Sequence, residues 1–84
     1  MVQFAEKLIG RRVAALKADL DNDEDGRERQ IPIGTTGVIE RLNHIDRRGM
    51  RHYDVFWDNG GWTVYSEGEV MTDLDLLSPA GESQ

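Results

Sequence analysis

The stretch Tyr53-Asp54-Val55-Phe56-Trp57-Asp58-Asn59-Gly60-Gly61-Trp62-Thr63-Val64-Tyr65 gathers both tryptophans and both tyrosines of the 84-residue chain around one reversing pair. Aromatic and β-branched residues on either side of Asn-Gly specify a β-hairpin. Asn59-Gly60 accepts positive φ at both central positions of a two-residue type I′ turn, whose twist matches that of the flanking strands. That turn predicts Trp57 opposite Trp62 and Val55 opposite Val64 on one face, with Phe56 opposite Thr63 and Asp54 opposite Tyr65 on the other. The paired indoles are expected inside.

The rest of the chain supplies short strands around this hairpin. Val2 to Leu8 reads as a short N-terminal helix, Phe4 and Leu8 sharing one side. Arg11 to Ala18 reads as a first strand. Asp19-Leu20-Asp21-Asn22-Asp23-Glu24-Asp25 carries five acids in seven residues and, with Gly26 to Gln30, is expected as one long solvated loop. Pro32 extends Ile31, Gly34 and Gly37 permit a sharp entry, and Thr36 to Leu42 forms the next strand. Asn43 to Arg51 is a basic loop, Ser66 to Glu69 a turn, Val70 to Asp73 a helical turn and Leu74 to Leu77 a closing strand. The expectation is a single all-β domain over residues 1–79, a small SH3-like barrel of four to five antiparallel strands, followed by a disordered tail at 80–84. Val13, Leu16, Ile33, Val38, Val55, Trp57, Trp62, Val64, Leu74 and Leu77 are its expected interior.

Composition narrows the class. A chain of this length buries about 60 to 65% of the surface its unfolded form exposes, so the core is small. No cysteine is present, which excludes disulfides and thiolate metal sites and points to a reducing cytoplasm. No apolar run suits a signal peptide or a membrane span. The net charge of −6 is uneven: residues 1–51 carry +1 and residues 52–84 carry −7. Such a surface disfavours general nucleic-acid binding without removing a local basic site.

Gly10-Arg11-Arg12-Val13, then Ile31-Pro32-Ile33-Gly34-Thr35-Thr36-Gly37-Val38, then Val55-Phe56-Trp57-Asp58-Asn59-Gly60 follow the order G-x-R-V, P-x-G-T-x-G-x-V, V-x-W-D-N-G. Over roughly residues 10 to 77 the chain resembles small bacterial and phage SH3-like domains of uncharacterised function. It is also distantly similar to the Mind bomb/HERC2 domain of ubiquitin ligases, which implies a protein-recognition module. The acidic stretch at Asp19 to Asp25 and the basic loop at His44 to Arg51 depart from the small bacterial pattern, and an individual function is expected there.

Candidate sites follow from residue chemistry. Asp21-x-Asp23-x-Asp25-Gly26 begins like a calcium loop, but its twelfth position is Pro32, which offers no bidentate carboxylate, so a solvated loop is the preferred reading. Arg47, Arg48 and Arg51, with His44 and His52, form the basic concentration that would contact phosphates or carboxylates. Phe56 and Tyr65 beside Asp54 would form an exposed aromatic dock for a basic or proline-rich segment; the competing reading has Phe4, Leu8 and Ile9 covering Phe56 as core. Trp62-Thr63-Val64-Tyr65 sits where the plasmid-borne SH3-like dihydrofolate reductases carry V-Q-I-Y, with Thr63 in place of their glutamine. No catalytic set is visible, so neither catalysis, metal nor cofactor is expected. The expected role is a non-enzymatic module for a protein partner or for itself, the alternative being a nucleic-acid-associated domain using residues 44–52.

Overall fold

The computed structural model describes residues 8–22 and 26–79. Among these residues seven strands and one helix follow in order: β1 (Arg11–Ala15), β2 (Asp19–Asn22), β3 (Glu28–Ile31), β4 (Thr36–Ile45), β5 (Arg51–Trp57), β6 (Trp62–Ser66), α1 (Glu67–Asp73) and β7 (Leu74–Pro79). They form one antiparallel sheet in the order β3-β2-β6-β5-β4-β1-β7. The sheet curls into a half-barrel, and the fold is all-β of the small-barrel kind. Of the expected N-terminal helix only Leu8 lies among the described residues, and its side chain is buried in the core. The expected tail at 80–84 lies outside them. No helix among the described residues is long and apolar enough to cross a membrane.

The expected long loop is instead a hairpin. β2 and β3 pair from Asp19↔Ile31 to Asn22↔Glu28, and β2 joins the sheet through a bridge between Asn22 and Trp62. Ile31 explains the difference: its fully buried side chain anchors β3 to the core and draws the acidic strand beside it. The side chains of Asp21, Asp23 and Asp25 lie outside the described residues, and with them the calcium-loop reading.

The aromatic hairpin forms, but one residue out of the expected register. Phe56 opposes Trp62, Val55 opposes Thr63, Asp54 opposes Val64 and Tyr53 opposes Tyr65. The loop holds three residues, Asp58 to Gly60, closed by Gly60 N to Trp57 O at 2.9 Å and Trp57 N to Gly61 O at 2.8 Å. Gly60 has φ of 99°, and no non-glycine residue among those described, Asn59 included, has positive φ, which rules out type I′. The geometry is that of a type I turn followed by a left-handed glycine. Asn59 works through its side chain: Oδ1 accepts from Gly61 N at 3.0 Å and Nδ2 donates to Gln30 O at 3.1 Å.

A slip of one residue exchanges faces. Trp57, Val55, Tyr53 and Tyr65 face inward, whereas Trp62, Phe56 and Val64 lie half-buried on the other side. The paired-indole interior is therefore incorrect. The observed register satisfies Trp57, whose buried Nε1 donates to Thr63 Oγ1 at 2.9 Å and whose ring meets Tyr65 edge-on at 6.3 Å. Thr63 would have faced away in the expected register, leaving that N–H without a partner at substantial cost.

The core comprises Leu8, Val13, Ala15, Ile31, Ile39, Tyr53, Val55, Trp57, Tyr65, Val70 and Leu74. Val38, Trp62, Val64 and Leu77 are half-buried, and Leu16 and Ile33 are exposed, contrary to expectation. Ile39 takes the inward place assigned to Val38 because Gly37 and Ile39 share the face that packs on Trp57 and Val55. Ile33 sits in the Pro32–Thr35 turn, closed by Thr35 N to Pro32 O, and points away from the sheet interior that Ile31 fills. α1 starts earlier than expected because Ser66-Glu67-Gly68-Glu69 is a capping box. Ser66 Oγ accepts from Glu69 N at 3.2 Å, and Glu69 Oε1 from Ser66 N at 2.9 Å.

Candidate functional site: the outer face of the central strands

The face of β4–β5–β6 turned away from the core carries an apolar row. Arg12↔Val38, Val38↔Phe56 and Phe56↔Trp62 are successive cross-strand partners from β1 to β6. The Phe56 and Trp62 rings stack with centroids 6.1 Å apart at 19°, and Arg41 Cζ lies over Phe56 at 5.5 Å from its centroid. Val64 continues the patch along β6.

A bulge delivers Arg41 to this place. The β4–β5 register shifts between Ile39 and Arg41, so that Arg41 rather than Glu40 opposes Asp54. An unbroken ladder would have set two carboxylates against each other. Instead Asp54 Oδ2 accepts from Arg41 Nε at 2.7 Å and Oδ1 from Asn43 Nδ2 at 2.7 Å. Asp54 is 1% exposed, whereas the Arg41 side chain is 67% exposed. The acid expected to meet a basic partner is thus consumed within the face, and the accessible charge beside Phe56 is cationic.

At the edge of the row, Arg12 Nη2 donates to Asp58 Oδ2 at 2.9 Å, and Thr36 Oγ1 also donates to Asp58. Both bonds hold the Asp58 carboxyl below the usual carboxylate range, Arg12 having the larger effect. Asp58 is fixed as part of the turn.

Tyr65 does not belong to the site. It is 4% exposed on the core face, its hydroxyl 3.4 Å from Asp19 Oδ2, and burial followed by the Asp19 charge pushes its phenol pKa upward. The one-residue slip is the reason. Phe56 remains on the outer face, and Leu8, expected as part of its cover, packs into the core, while Ile9 is exposed. Phe4 lies outside the described residues.

The expected basic loop is shorter than predicted, since β4 runs to Ile45 and β5 starts at Arg51. Asp46 organises the tip. Its Oδ1 accepts from Arg48 N at 2.9 Å and Met50 N at 3.0 Å, and its Oδ2 lies 2.9 Å from His52 Nε2. The His52 bond is the main cause that holds the Asp46 carboxyl below its ordinary value. His44 and His52 are cross-strand partners with rings stacked at 4.3 Å and 5°. Arg47, Arg48 and Arg51 are exposed at the tip, so the structure places them at one end of β4–β5 and Phe56 with Trp62 at the other.

Sequence reasoning missed Trp62, Arg41 and Asn43. Trp62 was hidden by the turn register. Glu40-Arg41 beside Asp54 would have signalled the bulge only once the strands were aligned. A separate open groove of about 530 Å³ lies by the β2–β3 hairpin, rimmed by exposed Leu20 and Ile33 with Ala18 and Pro32. Taken together, these features define a small all-β half-barrel with an outward aromatic–arginine face. Compared with protein-family models, curated proteins and solved structures, the chain matches none.

Proposed function

We propose that the chain is a non-enzymatic, cytoplasmic binding module that engages a protein partner through the outer face of β4, β5 and β6. The observation that carries this reading is the stacked, half-exposed Phe56–Trp62 pair on the side of the sheet away from the core, with Arg41 laid over it. Aromatic and arginine side chains concentrate binding energy in protein interfaces because they bury large area at low entropic cost. The absence of cysteine supports the cytoplasmic assignment.

The test compares proteins retained from host lysate by the intact chain and by a Phe56→Ala/Trp62→Ala variant of verified fold. A partner held by the first and lost by the second supports the reading. Identical retention removes it. Nucleic-acid association through Arg47, Arg48 and Arg51 is the second reading, favoured by their shared exposure at the hairpin tip. It requires salt-dependent retention on DNA or RNA that disappears when those three become alanine.

A further inference from the structure

We propose, resting on the protein-binding reading above, that the segment received on this face is acidic: an extended stretch carrying a carboxylate next to an aromatic or aliphatic side chain. Four facts converge on it. First, both oxygens of Asp54 already accept hydrogen bonds within the face, and the residue is buried, so it offers nothing to a lysine or arginine of a partner. Second, Arg41 uses Nε for Asp54, neither Nη donates to another described residue, and its side chain is largely exposed. The two terminal nitrogens present parallel N–H donors of the spacing that a carboxylate accepts in pairs.

Third, the ribbon bearing Arg41 is locally basic. From Thr36 to Trp57 it holds four arginines against Glu40, Asp46 and Asp54, a net of +1, which leaves −7 on the rest of a chain whose total is −6, although Arg47, Arg48 and Arg51 lie at its far end from Phe56. A short anionic segment is attracted to that ribbon, whereas a long polyanion also meets the surrounding negative charge. Fourth, Phe56 has Trp62 stacked beside it and the guanidinium of Arg41 over it. Arg41, held over Phe56, competes with a nucleobase for that ring. A side chain of a peptide needs only the apolar edge formed by Phe56, Trp62, Val38 and Val64, and its neighbouring carboxylate then reaches Arg41.

The experiment is selection from a random twelve-residue display library on the immobilised full chain, with counter-selection on the Phe56→Ala/Trp62→Ala variant. Enriched peptides are then synthesised and titrated against the protein by fluorescence. The expected result is enrichment of Asp and Glu beside an aromatic or aliphatic residue. Converting those acids to their amides should weaken binding by about tenfold or more, as loss of a charge-assisted pair does. Arg41→Gln should weaken it similarly. Because that variant also strips Asp54 of a partner and can unfold the chain, the amide peptides, which leave the protein untouched, are the decisive arm. Enrichment of basic or neutral peptides that still depend on Phe56 and Trp62 would overturn the acidic assignment while leaving the binding face standing. No enrichment dependent on those two residues overturns both. An oligothymidylate that displaces the acidic peptide, and binds more tightly than it in physiological salt, also overturns the assignment.

Discussion

Gly37 provides the sharpest test of which face of β5 is inside. A Cβ built there would lie 2.4 Å from the Phe56 carbonyl oxygen, 2.8 Å from Trp57 Cε3 and 3.0 Å from Trp57 Cα. Two of those atoms are backbone, and Gly37 is paired on both sides, with Trp57 and with Val13, so relief requires strands to separate. Inserting a methyl into such a site costs about 1–3 kcal/mol, and rigid backbone on one side of the clash places Gly37→Ala near the upper end, about 3 kcal/mol. For a domain of this size each kcal/mol moves Tm by about 4–8 °C, so the expected fall is about 12–24 °C. Gly68→Ala is the control: a Cβ there meets nothing within 4 Å, and the position is helical. It should gain about 0.5–1 kcal/mol from helix propensity. Both are measured by circular-dichroism melts in one buffer. If Gly37→Ala melts within about 2 °C of the parent, Trp57 is not seated on β4, and the assignment of Phe56 and Trp62 to the outer face loses its support.

The two tryptophans should separate cleanly. Trp57→Ala is expected to cost about 3–5 kcal/mol and Trp62→Ala about 1–2 kcal/mol, and acrylamide should quench Trp62 in a Trp57→Phe variant far more than Trp57 in Trp62→Phe; the reverse order of quenching would refute the register. At high pH, burial raises the phenol pKa of both Tyr65 and Tyr53 above 10. Their contribution to stability is therefore complete below about pH 10 and declines above it as the unfolded phenols ionise, so 295 nm absorbance should rise together with unfolding rather than before it. At low pH the sign is opposite: the depressed Asp46 carboxyl supports the hairpin tip above its ordinary value of 3.8 and ceases to do so as pH falls through its lower folded value. His52→Gln should move the Asp46 titration, followed by NMR, upward; an unchanged midpoint would show that His52 does not hold the carboxylate.

The legibility of the chain divides along physical lines. The Asn-Gly hairpin, the central strand from Thr36 and the closing strand from Leu74 were readable because turn chemistry and β preference act over a few residues. The capping box at Ser66 was equally local, and its pattern was in plain view. β2 and β3 were not readable: their acidic, polar stretch has no strand signature of its own and pairs because Ile31 is captured by the core. Register was the other blind point. Whether Asp58 belongs to the strand or to the loop depends on Arg12 and Thr36, which lie on other strands.

The amino-acid sequence alone therefore determined that this chain would be a small β protein built around one aromatic hairpin, because local backbone preferences suffice for that. Tertiary structure decided which aromatics face water, since a three-residue loop, the partner for the Trp57 N–H and the bulge before Arg41 arise only when distant strands meet. The candidate face, with Trp62 and Arg41 gained and Tyr65 withdrawn into the core, follows from that long-range registration and not from any residue taken singly.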